Sequence, residues 1–257
     1  MSRFGPGLLV SARDGTATVV ISNPDRRNAM TVAMARALPG VLAGLAADPG
    51  VRVLVLTGEG GTFCAGADIS EFTGPGAVRE AQEAMGAAEQ ALAAFPLPTL
   101  AAVRGSCVGG GCQLAAACDL RFAAEGARFG VTPARLGIVY PAASTRRLVE
   151  LAGPSTAKYL LFSAELIGHE RALRTGLVDE VLPEAELDAR VREFAQVLRS
   201  RSQLTQRAAK EFAAAEPTPE RLAHWARQAA ECGEAAEGAT AFLERRVPRF
   251  PWPEGVG

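Results

Sequence analysis

Three consecutive glycines, Gly109-Gly110-Gly111, constrain this chain more than any other feature. They lie in residues 98–122, PTLAAVRGSCVGGGCQLAAACDLRF. Residues 99–103 form a short apolar run of the kind a buried strand needs, and residues 114–117 read as the body of a short helix. Residues 119–122 begin another extended segment. Glycines in succession forfeit side-chain packing and lose more backbone entropy on folding than other residues. Two arrangements justify them: a ligand that approaches the backbone closely, or a helix pressed tightly on a strand. In the first arrangement, a glycine run entering a helix offers unpaired N–H groups at the positive end of the helix dipole, a seat for developing negative charge. The residues alone leave both open.

A second segment has the same character. Residues 51–56 are almost continuously apolar, as in a strand covered on both faces. A glycine-rich loop follows, then the small-residue segment Phe63-Cys64-Ala65-Gly66-Ala67-Asp68-Ile69. Two backbone sites, centred on Ala67 and Gly110, therefore each follow a buried strand. If their N–H groups converge on one oxygen they form an oxyanion hole, commonly a large catalytic contribution.

Around these segments the chain alternates strands and helices. Residues 8–10 and 16–21 read as a hairpin turning at Arg13-Asp14-Gly15. Thr31 caps a helix whose Met34, Leu38, Val41, Leu42 and Leu45 share a face, and Pro39 within it predicts a kink or a break. Residues 144–151 form one helix, and Gly153-Pro154-Ser155 opens another. From Glu184 the chain is almost wholly helical, and Thr218-Pro219 starts a late helix. These patterns predict an α/β core over residues 1–195 and a helical region over residues 196–257.

The chain of 257 residues, 48% hydrophobic, suffices for a core of ordinary size. A formal charge of -1 gives no electrostatic case for nucleic acid or an anionic membrane as partner. Five cysteines without a CxxC pair argue against a disulfide framework or structural zinc, and two histidines are too few for a histidine-based metal site. No metal is therefore expected. Residues 1–10 do not form a signal peptide, and no window approaches the roughly 18 apolar residues of a membrane span, so a reducing cytoplasm is the expected compartment. Phosphate-binding and serine-elbow motifs are missing. Asp68 reads either as a cap or as a ligand-facing group, and Arg26-Arg27 either as a phosphate contact or as solvated charge.

Taken in order, several blocks resemble the enoyl-CoA hydratase/isomerase (crotonase) family. They are Asn23-Pro24-Asp25-Arg26-Arg27-Asn28-Ala29-Met30, residues 52–58 and 62–68, and Ala101-Ala102-Val103-Arg104-Gly105 through the glycine triplet to Cys118-Asp119-Leu120. Residues 172–182 and 241–248 complete the set. The resemblance implies a spiral of repeated ββα units with a C-terminal helical trimerisation region, in a homotrimer or hexamer. It implies acyl-CoA thioester substrates, coenzyme A entering as part of the substrate and no separate cofactor. Ala67 and Gly110 N–H would hold the thioester oxygen. Arg27, Ala29, Ala65, Asp68 and Ile69 would lie near the nucleotide end of CoA, and Phe242 and Arg245 would reach it from a neighbouring subunit.

The family's carboxylates are missing. Gln113 stands where hydratases of the family carry a catalytic glutamate, Pro133 where they carry a second, and Pro141 where isomerases and dehalogenases place their acid. No Asp or Glu occurs between Glu125 and Glu150. Neither an amide nor a proline exchanges protons at neutral pH. Loss of CO₂ from a malonyl-type thioester would demand less, because it forms the enolate directly. Methylmalonyl-CoA decarboxylases of the family resemble this chain around residues 132–140, which makes Tyr140 the candidate for orienting substrate and Gln113 a second polar contact. The alternatives are hydration by a relocated base, with Glu71, Glu89 and Glu125 as candidates, and a catalytically silent acyl-CoA binder.

Overall fold

The computed structural model describes residues 2–4 and 7–250. Strands β1 (Ser2–Phe4), β2 (Leu8–Arg13) and β3 (Thr16–Ile21) make an antiparallel ribbon. The turn between β2 and β3 is Asp14-Gly15, both with positive φ, the twist that suits a two-residue hairpin. The chain then crosses through α1 (Val32–Ala46) to β4 (Val53–Gly58), and through α2 (Ala77–Ala93) to β5 (Thr99–Val103). After β5 come β6 (Ser106–Val108), α3 (Gly110–Ala117), β7 (Leu120–Ala124), β8 (Arg128–Gly130) and the single turn α4 (Pro133–Leu136). The long α5 (Ala142–Ser163) leads to β9 (Ile167–Gly168), α6 (His169–Arg174) and β10 (Glu180–Leu182). Helices α7 (Glu184–Ser200), α8 (Gln203–Ala214), α9 (Pro219–Glu231) and α10 (Glu234–Glu244) complete the described chain.

The strands form two sheets. The larger runs β1-β2-β3-β4-β5-β7-β10, parallel from β3 onward, and the smaller runs β6-β8-β9. The apolar runs of β4 and β5 follow from burial on both sides. Leu100 and Ala102 of β5 face Leu187 and Val191 of α7, together with Val55 and Phe122. Ala101 and Val103 point the other way, into the main core with α1, α2 and α3.

Thr31 Oγ1 accepts from Met34 N–H at 3.1 Å and caps α1. The expected break at Pro39 does not occur, for α1 runs whole from Val32 to Ala46. An interior proline costs about 3 kcal/mol. Burying Met34, Leu38, Val41, Leu42 and Leu45 on one face is worth about 1.5–3 kcal/mol each and outweighs it. In α5 the break falls where expected: Gly153 leaves helical geometry at φ 75° just before Pro154. Residue 195 lies inside α7, whose Leu187, Val191 and Ala195 are buried, so the helix is continuous across the 195/196 boundary and ends at Ser200. No helix among the described residues is long and apolar enough to cross a membrane.

Candidate active site

Strands β4 and β5 are parallel neighbours, so the chain leaves both at the same edge of the sheet, where open α/β sheets place their ligands. The two exits remain joined. Phe63 N–H donates to Arg104 O at 2.8 Å, Cys64 N–H to Ser106 O at 2.9 Å, and Val108 N–H to Cys64 O at 3.0 Å. On the opposite edge of the same segment, Met30 N–H donates to Gly66 O and Asp68 N–H to Met30 O, each at 2.8 Å. Residues 63–68 are thus threaded between two other segments. Among the described residues, the N–H of Ala67 has no hydrogen-bond partner.

The glycine triplet brings a second such amide beside it. Gly109 adopts φ 54° and ψ -120°, a conformation closed to other residues, and this turns β6 directly into α3. Gly110 is the first residue of α3, and its N–H too has no partner among the described residues. A Cβ at Gly110 would lie 3.4 Å from Ala67 N, so the two amides are adjacent. A Cβ at Gly111 would come within 2.4 Å of Cys64 O. Both explanations of the triplet therefore hold, at different residues: Gly111 presses the helix onto the neighbouring backbone, and Gly110 leaves the space in front of the amides clear.

Ala67 and Gly110 border a cleft of about 130 Å³ that opens to solvent. Its lining is mostly apolar, with Ile69, Phe72, Met85, Leu136 and Ile138. Among the described residues no Asp, Glu, Lys or Arg borders it. The polar side chains on it are Gln82, Gln113, Thr132 and Tyr140.

Gln113, on α3, is buried and anchored from behind. Its Nε2 donates to Glu89 Oε2 at 2.5 Å and to Ser144 Oγ at 3.2 Å. Ser144 Oγ donates to the same Glu89 oxygen at 2.5 Å, and Arg147 pairs with Glu89 Oε1. Glu89 sits on the inward face of α2, 4% exposed, one turn beyond Met85. Tyr140 also borders the cleft, with its hydroxyl buried and without a hydrogen-bond partner. Burial, with Cys112 and Glu89 nearby, pushes the phenol well above its ordinary range, so it stays a neutral hydroxyl able to donate.

Of the three glutamates weighed as relocated bases, none borders the cleft. Glu71 Oε2 accepts from Val32 N–H at 2.7 Å, at the start of α1. Glu125 lies exposed in the turn after β7. Glu89 stands behind Gln113. Ala65 and Ile69 line the cleft, whereas Arg27, Ala29 and Asp68 stand back from it. Arg27 is exposed and left-handed at φ 51°, with its carbonyl accepting from Ala65 N–H. Asp68 caps the turn after it through Ser70 N–H at 3.0 Å and pairs with Arg26 at 2.9 Å. Burial alone would raise its carboxyl, but hydrogen bonds from Ser70 and the charge of Arg26 hold it below the usual range. Phe242 and Arg245 lie exposed at the end of α10, and neither borders the cleft of its own chain. Cys64 and Cys118 are buried, their thiols pushed up to about 12 chiefly by that burial, as core residues rather than nucleophiles.

The Ser144–Arg147 anchorage of Glu89 was not readable from sequence. The only signal was a lone carboxylate among Ala81, Ala84, Met85, Ala88 and Leu92 at helical spacing.

A parallel α/β spiral that presents two adjacent unpartnered amides over an apolar cleft defines a class of protein that can stabilise an oxyanion. The sequence matches the enoyl-CoA hydratase/isomerase family model over residues 11–252, and the chain belongs to that family, with its crotonase-type fold. It is 34% identical to the crotonyl-CoA hydratase of Syntrophomonas wolfei over 95% of this chain and 97% of that protein. It is 32% identical to the 2,3-dehydroadipyl-CoA hydratase of Escherichia coli over 95% and 98%. Among solved structures, the enoyl-CoA hydratase from Bacillus anthracis superposes with a TM-score of 0.87 at 30% identity, covering 96% of this chain and all of that one (100%).

Proposed function

We propose that the cleft binds an acyl-CoA thioester, with the thioester oxygen between the N–H groups of Ala67 and Gly110, and that the protein acts as a lyase through the thioester enolate. The observation that carries this reading is the pair of adjacent amides without protein partners. Such a pair gains most when the carbonyl oxygen becomes anionic in a dry, apolar site. Hydration of an enoyl thioester fits the family and the names of the relatives. Water oxygen bonds to the β-carbon and gives up a proton, the alkene electron pair moves through the α-carbon onto the thioester oxygen as an enolate, and the enolate collapses as the proton released by the water returns to the α-carbon. Gln113 and Tyr140 would hold the water and supply hydrogen bonds. Without a bordering carboxylate, the reaction forgoes general acid–base catalysis typically worth about 10²–10⁴-fold.

A second reading, decarboxylation of a malonyl-type thioester, needs no carboxylate base. There the carbon–carbon bond breaks, CO₂ leaves, its electron pair forms the enolate, and the Tyr140 hydroxyl or a water protonates the α-carbon. In either reading Arg27, outside the cleft lining, would meet CoA phosphates beyond it, and Phe242 and Arg245 would serve a neighbouring copy in a trimer. A panel of enoyl and malonyl-type thioesters decides, followed by conjugated-thioester absorbance and CO₂ release. Hydration without CO₂ release supports the first reading, and CO₂ release the second. Tight binding with no turnover of any member would leave only a thioester binder.

A further inference from the structure

The geometry points to Glu89 as a positioning residue that fixes which end of the Gln113 amide faces the cleft, so that the site prefers an acyl group carrying a hydroxyl over one carrying a carboxylate. The inference rests on the cleft being an acyl-thioester site.

A glutamine has two unlike ends, a carbonyl that accepts and an NH₂ that donates. Here the NH₂ end is fully engaged away from the cleft. One contact goes to Glu89 Oε2, the other to Ser144 Oγ. The Ser144 hydroxyl proton goes to Glu89, so Ser144 has only a lone pair to offer Gln113. The carboxylate accepts and does not donate, and Arg147 holds its other oxygen. Reversing the amide would set carbonyl oxygen against carboxylate oxygen. Among the described residues the Gln113 Oε1 makes no hydrogen bond, and it is not one of the sealed, unpartnered atoms. Since Gln113 borders the cleft, this bare acceptor opens onto it.

An acceptor without an accompanying donor selects its ligand. A hydroxyl on the acyl chain, or a water about to become one, satisfies it. A carboxylate presents only acceptors and is repelled, and among the described residues no bordering cation offsets the charge. The Tyr140 hydroxyl is itself one of those sealed atoms and can either donate or accept, so it does not discriminate. The selectivity therefore lies with Gln113 and, behind it, with Glu89.

The test is calorimetric titration of the full-length protein with butyryl-CoA, 3-hydroxybutyryl-CoA in both enantiomers, and malonyl-CoA. One enantiomer of the hydroxyacyl thioester is expected to bind about five-fold tighter than butyryl-CoA, the effect of one neutral hydrogen bond. Malonyl-CoA is expected to bind more weakly than butyryl-CoA. In Glu89→Gln, where residue 89 can meet either end of the amide, the hydroxyl preference should fall within two-fold while butyryl-CoA affinity holds. A general structural defect would weaken all ligands together. Gln113→Met, which keeps length and removes the acceptor, should level the same preference and serves if Glu89→Gln does not fold. Malonyl-CoA binding tighter than butyryl-CoA overturns the inference, as does an unchanged hydroxyl preference in folded Glu89→Gln or in Gln113→Met. Binding of all the thioesters without preference overturns this inference alone. Failure of every thioester to bind overturns the thioester-site reading with it.

Discussion

Two of the polar groups at the cleft belong to the main chain, at Ala67 and Gly110. Others belong to side chains, among them Gln113 and Tyr140. The first pair is held by strand register: residues 63–68 are hydrogen-bonded to residue 30 on one edge and to residues 104–108 on the other. No side chain at Ala67 or Gly110 is needed to keep those amides in place, so substitution elsewhere hardly disturbs them. The second pair is set residue by residue, and here it is an amide and a phenol, with no Asp, Glu, Lys or Arg bordering the cleft among the described residues. The comparison teaches that the placement of the two amides follows from the sheet, whereas the chemistry beside them follows from a few side chains that border the cleft.

The largest effect should come from the backbone wall. Gly110→Ala places a methyl group 3.4 Å from Ala67 N, in the space the acyl oxygen would occupy. Thioester turnover is expected to fall by about 10²–10³-fold, the cost of losing an oxyanion-hole donor. Met85, the other close neighbour, is flexible enough to yield, so the melting temperature should change little. A large loss of stability with proportionate loss of activity would erase the distinction between Gly110 and Gly111.

Next in size is Tyr140→Phe. Activity should fall about ten-fold or more in steady-state assays. Stability should hold or rise by about 1 kcal/mol in denaturant titrations, because a buried hydroxyl without a partner is removed. Lower stability would mean the hydroxyl has a structural partner, and unchanged activity would take Tyr140 out of the chemistry.

Gly111→Ala tests the contrast from the packing side. Its Cβ would meet Cys64 O at 2.4 Å, and backbone cannot give way as a side-chain end can. A destabilisation of about 1–3 kcal/mol is expected from urea unfolding, with any loss of turnover following the loss of fold.

Asp68 gives the smallest effect. Its carboxyl is held below the ordinary value of 3.8, so its stabilisation is present above that pH and is lost as pH falls through the lower folded value. Asp68→Asn should therefore cost under about 1 kcal/mol at pH 7, since Arg26 is more than half exposed, and the difference from the parent should shrink toward pH 3. A difference that persists at acid pH would assign the effect to packing.

Much of this was legible before the structure. The continuous apolar runs at β4 and β5 announced strands covered on both faces, and Thr31 and Thr218 both cap helices as read. The two backbone sites could be named because each pairs a buried strand with an excess of small residues. Their adjacency could not, because it depends on β4 and β5 being neighbours and on hydrogen bonds made beyond both strands. Strands β6, β8 and β9, at three, three and two residues, are too short to show a period. Glu89 meets Ser144 and Arg147 across 55 and 58 residues of chain, a separation that local pattern does not encode. Pro39 does not split α1 because the burial on either side of it outweighs its local cost.

The unpartnered state of the Ala67 and Gly110 amides sets them apart from their neighbours in time as well as in space. Cys64 and Val108 N–H are tied into the backbone ladder and can trade hydrogen for deuterium only when the sheet opens. Ala67 and Gly110 have no such lock, so a few residues along each segment the exchange clock should run at solvent speed. An occupant in front of them would slow that clock at these two positions while leaving the ladder on either side unchanged.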